Sequence, residues 1–273
     1  MEEIKVNYTQ RQLAEEAFHD QRAYLCESEP FKVDVFCAKT SPENLFALEQ
    51  IGQLKDKKIL DLGCGGGEAA IYFAWKGAEV DAVDISLNAL AILKKRKIFY
   101  NLENKIHTIK TSTEHLPEVS EKYDVVFGNG ILHHVNIEST VKEVFRVMKK
   151  GGTAVFIEPL TYNPIIKIYR KICRELRSKH EKPLKYSDIK FMGSLFGGEL
   201  RQEFHFFTLL IFIYFFIIGI DPNKVRYWKK IVYDGNKYER LVYFLHKVDK
   251  LFFKLFPFLK RFCWNIVVIL KKP

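Results

Sequence analysis

KILDLGCGGGEAAIYFA, residues 58–74, decides how the rest of the chain is read. Ile59 and Leu60 are apolar and β-favouring, Asp61 runs into a turn, and from about Ala69 the residues read as a packed helix, so the stretch is strand, loop, helix. Glycines stand at 63, 65 and 67, whereas a dinucleotide loop of the form G-x-G-x-x-G needs one at 68, which is Glu. An anion there disfavours a diphosphate. The glycines still admit close approach of a ligand to the backbone, and a helix N-terminus still offers N–H groups to a carboxylate. The expected ligand is nucleoside-like, carries a carboxylate and lacks a diphosphate.

The next strand, AEVDAVDIS, alternates apolar and polar residues and ends at Asp84, placed to bind both hydroxyls of a ribose. With Asp61-Leu-Gly-Cys-Gly-Gly-Gly and Asp84 in hand, the chain resembles the class I S-adenosylmethionine-dependent methyltransferases. TSTEHLPEVSEKYDVVFGNGILHHV (111–135) is similar to that family's adenine-side loop and fourth strand, and VFRVMKKGGTAVFIEP (144–159) to its helix, glycine turn and fifth strand. The resemblance covers about residues 55–159. It implies an α/β fold, a Rossmann-like, doubly wound, mostly parallel seven-stranded sheet, with S-adenosylmethionine as cofactor.

By the same resemblance Asp61, Gly63, Cys64, Gly65 and Gly67 hold the cofactor, Asp84 its ribose and Ile85 its adenine face. Ser112 stands where many relatives carry an acid that binds the adenine amino group, a role that can pass to Thr113 or Glu114. Asn129 and Gly130 are expected at the methionine end. The implied organisation is a helical cap over residues 1–50, a cofactor-binding core over 51–159, and an acceptor lid with the last two strands over 160–273. The cap's apolar stripe is read as Leu13, Ala17 and Tyr24, with Tyr8 and His19 as candidates to close over the cofactor.

Charge separates the two halves. Residues 1–158 carry 20 Lys/Arg against 24 Asp/Glu, and residues 159–273 carry 23 against 9. The basic half also holds FFTLLIFIYFFIIGI (206–220), which has no charge at all. Nucleic-acid grooves interleave cations with aromatics, so no nucleic-acid partner is expected and an anionic membrane surface fits better. Fifteen uncharged residues fall short of the roughly 20 that span a bilayer, so the run reads as a buried or substrate-lining helix, with interfacial insertion as the alternative. Two basic amphipathic helices are expected beside it. One starts at Asn163 and Pro164 with an apolar stripe at Ile165, Ile168, Ile172 and Leu176; the other has Leu241, Leu245, Val248, Phe252 and Leu255 on its stripe. The resemblance implies an antiparallel pair after the fifth strand, assigned near 200–207 and 263–270, which would close the sheet around this large, basic insertion. Five cysteines without paired spacing favour a reduced, cytosolic setting, peripheral on the inner face of the membrane.

Methyl transfer to oxygen requires the loss of an acceptor proton, and a near-neutral histidine suits that step. His133 and His134 follow the fourth strand, where an acceptor enters, and either one is expected to face the cleft. Glu158, ending the fifth strand, is an orienting carboxylate or a second base. No carboxylate cluster for a divalent ion is evident, so no metal is expected. The sequence reading is a methyltransferase acting on an oxygen or carbon of a hydrophobic small molecule, a quinone, lipid or lipid-linked glycan. A soluble secondary metabolite or sugar as acceptor, and a non-catalytic cofactor-binding subunit, remain open at this stage.

Overall fold

A computed structural model describes residues 8–24, 31–117, 119–173 and 177–273. Seven strands form one sheet: β1 (Lys58–Leu62), β2 (Glu79–Asp84), β3 (Ile106–Lys110), β4 (Tyr123–Asn129), β5 (Met148–Pro159), β6 (Leu200–Phe204) and β7 (Asn265–Lys271). Their order is β3-β2-β1-β4-β5-β7-β6. The first five are parallel, and β7 runs antiparallel between β5 and β6. β1 lies between β2 and β4, so the chain turns to opposite sides at its carboxyl end and opens a crevice there. The expected doubly wound sheet is present.

Both faces of the sheet are covered. One carries α3 (Glu68–Trp75), buried through six consecutive residues from Ala69 to Ala74 because Phe73 and its neighbours are enclosed by β-strands and the N-terminal segment. The other carries α5 (Ile137–Val147), whose Val141, Val144 and Val147 follow helical spacing onto the sheet. α4 (Leu87–Phe99) is capped by Ser86, which accepts from the Ala89 amide at 3.0 Å. In the N-terminal part α2 (Pro42–Ile51) rests on β5 and β7 through Ala47 and Ile51.

α1 (Gln10–Arg22), begun by a Thr9–Gln12 capping box, is turned over relative to the expected stripe. Leu13 and Tyr24 are exposed, 50% and 60%, while Gln12 and Glu15 are buried. The polar face wins because each of its side chains finds a partner below: Gln12 donates to Ser112 Oγ at 2.8 Å, and Asp20 accepts from Ser86 Oγ at 2.6 Å.

The C-terminal part adds α6 (Pro164–Ile172) and α7 (Tyr186–Phe196), then three helices between β6 and β7: α8 (Leu209–Ile217), α9 (Tyr227–Tyr233) and α10 (Gly235–Leu255). Asn163 caps α6 by accepting from the Ile166 amide at 3.0 Å. Ile166, Phe212, Phe215, Tyr227 and Val242 form a separate core. The stripes differ from those expected. On α6 it is Ile166 that is buried, whereas Ile168 and Ile172 face outward; Leu176 lies outside the described residues. On α10 the buried set is Tyr238, Val242, Leu245, Asp249 and Phe253, with Leu241 and Leu255 exposed. Asp249 fixes that rotation, accepting from the backbone N–H groups of Phe206 and Phe207 at 3.1 and 2.9 Å. The apolar run 206–220 therefore makes a nine-residue helix buried on one side only. Among the described residues no helix is long and apolar enough to cross a membrane.

Candidate active site

The loop after β1 takes its shape from its glycines. Gly63, Gly65 and Gly67 all have left-handed φ, 64°, 52° and 82°. A Cβ on Gly63 would stand 2.5 Å from Ile131 Cδ1, and one on Gly67 2.2 Å from Leu93 Cδ1, while Gly65 opens onto empty space. Asp84 braces the loop: its carboxylate accepts from the Gly65 and Ser86 amides, both at 2.8 Å. Cys64 lies in the turn, its thiol pushed up by burial and by the charges of Asp84 and Asp61. Asp61 is buried, and its Oδ2 has no hydrogen-bond partner among the described residues. Burial pushes its carboxyl up to about 7, against a hydrogen bond from the Ala70 amide and with the charge of Asp84 adding to the rise. A buried carboxylate with an unpartnered oxygen beside an open glycine suits a cationic group.

S-adenosylmethionine fits that requirement, since its methionine end carries an ammonium group and a sulfonium. Asp61, Gly63, Gly65, Asn129 and Gly130 line the same cleft as Asp84, so these residues would hold it. Gly130 has φ 72° and donates its amide to Ile157 O at 2.9 Å. The residues expected at the adenine, Ile85, Ser112, Thr113 and Glu114, do not line this cleft: Ile85 is half-buried at the tip of β2. Ser112 accepts from Gln12 and from the Glu114 amide, and Thr113 Oγ1 lies 3.3 Å from Thr140 Oγ1. The Glu114 carboxylate is taken by Arg11 of α1 and by the Asn136 amide.

Beyond β4, two adjacent histidines have opposite surroundings. The ring of His133 lies between two carboxylates, Nδ1 at 2.6 Å from Glu158 Oε2 and Nε2 at 3.2 Å from Glu181 Oε1. Burial by itself lowers its pKa, but the charge and hydrogen bond of Glu158, then those of Glu181, raise it to about 9. His133 is a cation at neutral pH. Glu158 is fully buried beneath the turn, where its Oε1 also accepts from the Ile131 and Leu132 amides at 2.8 and 2.6 Å. It anchors the loop that carries the histidines.

His134 is kept neutral. Burial, then the positive charge of His133, bring its pKa down to about 4 although Glu15 pulls the other way. Its Nδ1 lies 3.0 Å from Glu15 Oε2. Burial alone would raise the Glu15 carboxyl, but hydrogen bonds from His134, His19 and Ser178 hold it well below the usual carboxylate range, so it is ionised and only accepts. Nδ1 must therefore donate, which leaves the lone pair on Nε2. Among the described residues Nε2 has no hydrogen-bond partner, and His134 lines the cleft. The arrangement is a neutral imidazole oriented by an ionised carboxylate.

Glu15 and Glu181 were not visible as site residues in the sequence. For Glu15 a signal exists: Gln12, Glu15 and His19 share one helix face by their spacing. Glu181 comes from an irregular segment after α6, and nothing local marks it. His19 completes a group with Glu15 and His134, its Nε2 3.5 Å from Glu15 Oε2; Tyr8 lies away from it, its ring 5.8 Å from Lys110 Nζ. Glu15–His19–His134 and His133–His134–Glu181 each bring three potential metal-ligating atoms within 4.8 Å. Hydrogen bonds to Glu15 already engage the first group, and in the second a protonated His133 offers no lone pair.

The cleft has a volume of about 450 Å³ and runs from Asp61 and Gly65 past His134 to Tyr169, Phe212 and Trp264. Comparison with known proteins agrees with this geometry. The profile of a methyltransferase domain matches residues 60–156. The ubiquinone biosynthesis O-methyltransferase of Aeromonas salmonicida (strain A449) is 30% identical over 116 residues, 42% of this chain and 48% of the relative. The sarcosine/dimethylglycine N-methyltransferase of Aphanothece halophytica is 37% identical over 105 residues, 38% of each chain. The chain thus spans about half the length of the first of these relatives and less of the second. The solved structure of geranyl diphosphate methyltransferase in complex with its cofactor is similar with a TM-score of 0.57 over 86% of this chain and 85% of that one, at 12% identity, a likeness of fold.

Proposed function

For a chain whose residues 60–156 match a methyltransferase domain, we propose transfer of a methyl group from S-adenosylmethionine to an oxygen of an apolar acceptor held under the C-terminal helices. The observation that carries this reading is the Glu15–His134 pair at the wall of the cleft.

When bound, the cofactor supplies a methyl group already activated by a sulfonium. The chain's task is to align the acceptor in a site shut off from water and to remove the hydroxyl proton. His134 Nε2 takes that proton. Glu15 fixes the tautomer that exposes the Nε2 lone pair and stabilises the imidazolium as it forms. His133, already protonated and held between Glu158 and Glu181, cannot act as base at neutral pH. Apolar side chains from α6, α8 and the start of β7 (Tyr169, Phe212, Trp264) exclude water and accept a greasy acceptor.

The same reading makes an anionic membrane surface the source of that acceptor. α8 leaves Ile213, Phe216 and Ile217 uncovered, and α10 with the following turn leaves Phe244, Leu255 and Phe258 uncovered beside exposed Lys247, Lys250 and Lys254. Such faces suit the headgroup boundary, where each basic residue adds about 1 kcal/mol. His134→Ala should leave S-adenosylmethionine affinity within twofold of wild type by calorimetry and lower kcat by about 100-fold or more. Glu15→Gln should fall between the two and change the pH–rate profile, because the amide no longer dictates the tautomer. Full turnover in His134→Ala would remove the general base from the account.

A further inference from the structure

Methyl transfer leaves one feature of the cleft unused, a group of arginines on its acceptor side. Arg177, from the segment after α6, and Arg226, which precedes α9, line the cleft together with Arg22 at the end of α1. Arg22, Arg177 and Ser178 also line a second, open groove, so these arginines stand where the cleft meets solvent-accessible space. They are near enough to feel one another: burial lowers the Arg22 pKa, and the charge of Arg226 pushes the same way. Half-buried cations are costly unless an anion completes the site.

For Arg177 and Arg226 the described residues do not supply enough of that anion. Glu181 is shared among Arg170 at 2.9 Å, Arg177 at 3.0 Å and the charged His133 at 3.2 Å. Arg177 Nε is buried without a hydrogen-bond partner, and the Arg226 side chain makes no hydrogen bond or ion pair among the described residues. Lys229 lines the same cleft but is neutralised by Glu68 at 3.2 Å, which sets the arginines apart. Next to them the wall is aromatic, with the Arg177 guanidinium 6.0 Å from the Tyr169 ring centre.

We propose that Arg177 and Arg226, with Arg22 at the rim, form an anion subsite that takes the phosphate or diphosphate end of an amphiphilic acceptor while its apolar body lies along Tyr169 and Phe212. This rests on the methyl-transfer reading and adds the chemical class of the acceptor. Guanidinium forks match phosphate oxygens in pairs, and several of them suit a group bearing more than one negative charge.

The experiment is calorimetric titration of inorganic pyrophosphate into protein saturated with S-adenosylhomocysteine, for wild type, Arg226→Ala and Arg177→Lys. Wild type should bind one pyrophosphate, more weakly as salt rises. Arg226→Ala should weaken that binding about tenfold or more, with S-adenosylhomocysteine affinity within twofold of wild type. Arg177→Lys, which keeps the charge and loses the fork, should weaken it less. Absence of pyrophosphate binding in wild type, or equal binding in Arg226→Ala, overturns the subsite. An equal loss of pyrophosphate and S-adenosylhomocysteine affinity also overturns it, by assigning the arginines to the cofactor's carboxylate. Failure of wild type to bind S-adenosylhomocysteine is a separate result, and defeats the methyl-transfer reading itself.

Discussion

A buried carboxylate oxygen without a donor is costly to keep, and Asp61 carries one at the end of β1. Its pKa of about 7 puts a proton on this group over much of the neutral range. A bound ammonium group favours the ionised form, so binding must expel that proton wherever the free protein holds it. S-adenosylmethionine affinity should therefore fall as pH drops from about 8 to 6, through the pKa of about 7, and Asp61→Asn should bind weakly with a flat profile in calorimetry. A pH-independent affinity in wild type would show that Asp61 does not face the cationic end. The glycines, Asp61 and Asp84 could be read from sequence because the loop they build is contiguous and its constraints are local. The opposite states of His133 and His134 could not. They follow from Glu158, Glu181 and Glu15, brought in from 25, 48 and 119 residues away.

At the level of the element, helix periodicity identified α1 and α10, but it put the wrong face of α1 inward and set the α10 stripe part-way round, sharing Leu245 with the buried set. A stripe of Leu13, Ala17 and Tyr24 looks like a core face until the polar face is seen to have its own partners in Ser112, His134 and Ser86. Burial of a polar face is stable when every group on it is hydrogen-bonded. The consequence can be measured. Leu13→Ser should change unfolding stability by less than about 0.5 kcal/mol, whereas Gln12→Leu, which takes the donor from Ser112, should cost about 1–3 kcal/mol by denaturant titration. The reverse ranking would mean that α1 docks through its apolar side. On α10 the same logic works through Asp249, whose two backbone donors outweigh the simple apolar count.

Across the whole molecule, the parallel core was legible because strand, loop and helix recur in a fixed order, and the antiparallel pair β6–β7 was implied by the family resemblance. The rotation of the helices between those strands was not, since it depends on packing against one another in a core of their own. That packing leaves Ile217 75% and Leu255 71% exposed. Full-length protein should cosediment with anionic vesicles in a salt-sensitive way, and Ile217→Asp or Phe244→Asp should reduce the bound fraction. No sedimentation with anionic vesicles would make these faces a contact for something other than lipid.

The proposed chemistry moves a methyl group from S-adenosylmethionine directly to an apolar acceptor whose hydroxyl proton goes to His134. The most direct test is to incubate S-adenosylmethionine carrying a tritiated methyl group with the protein and a total cellular lipid extract, and count label in the organic phase. Wild type should move label into that phase, and His134→Ala, with cofactor affinity intact, should not. Cofactor binding by wild type without any transfer of label, or equal transfer by both proteins, would contradict it.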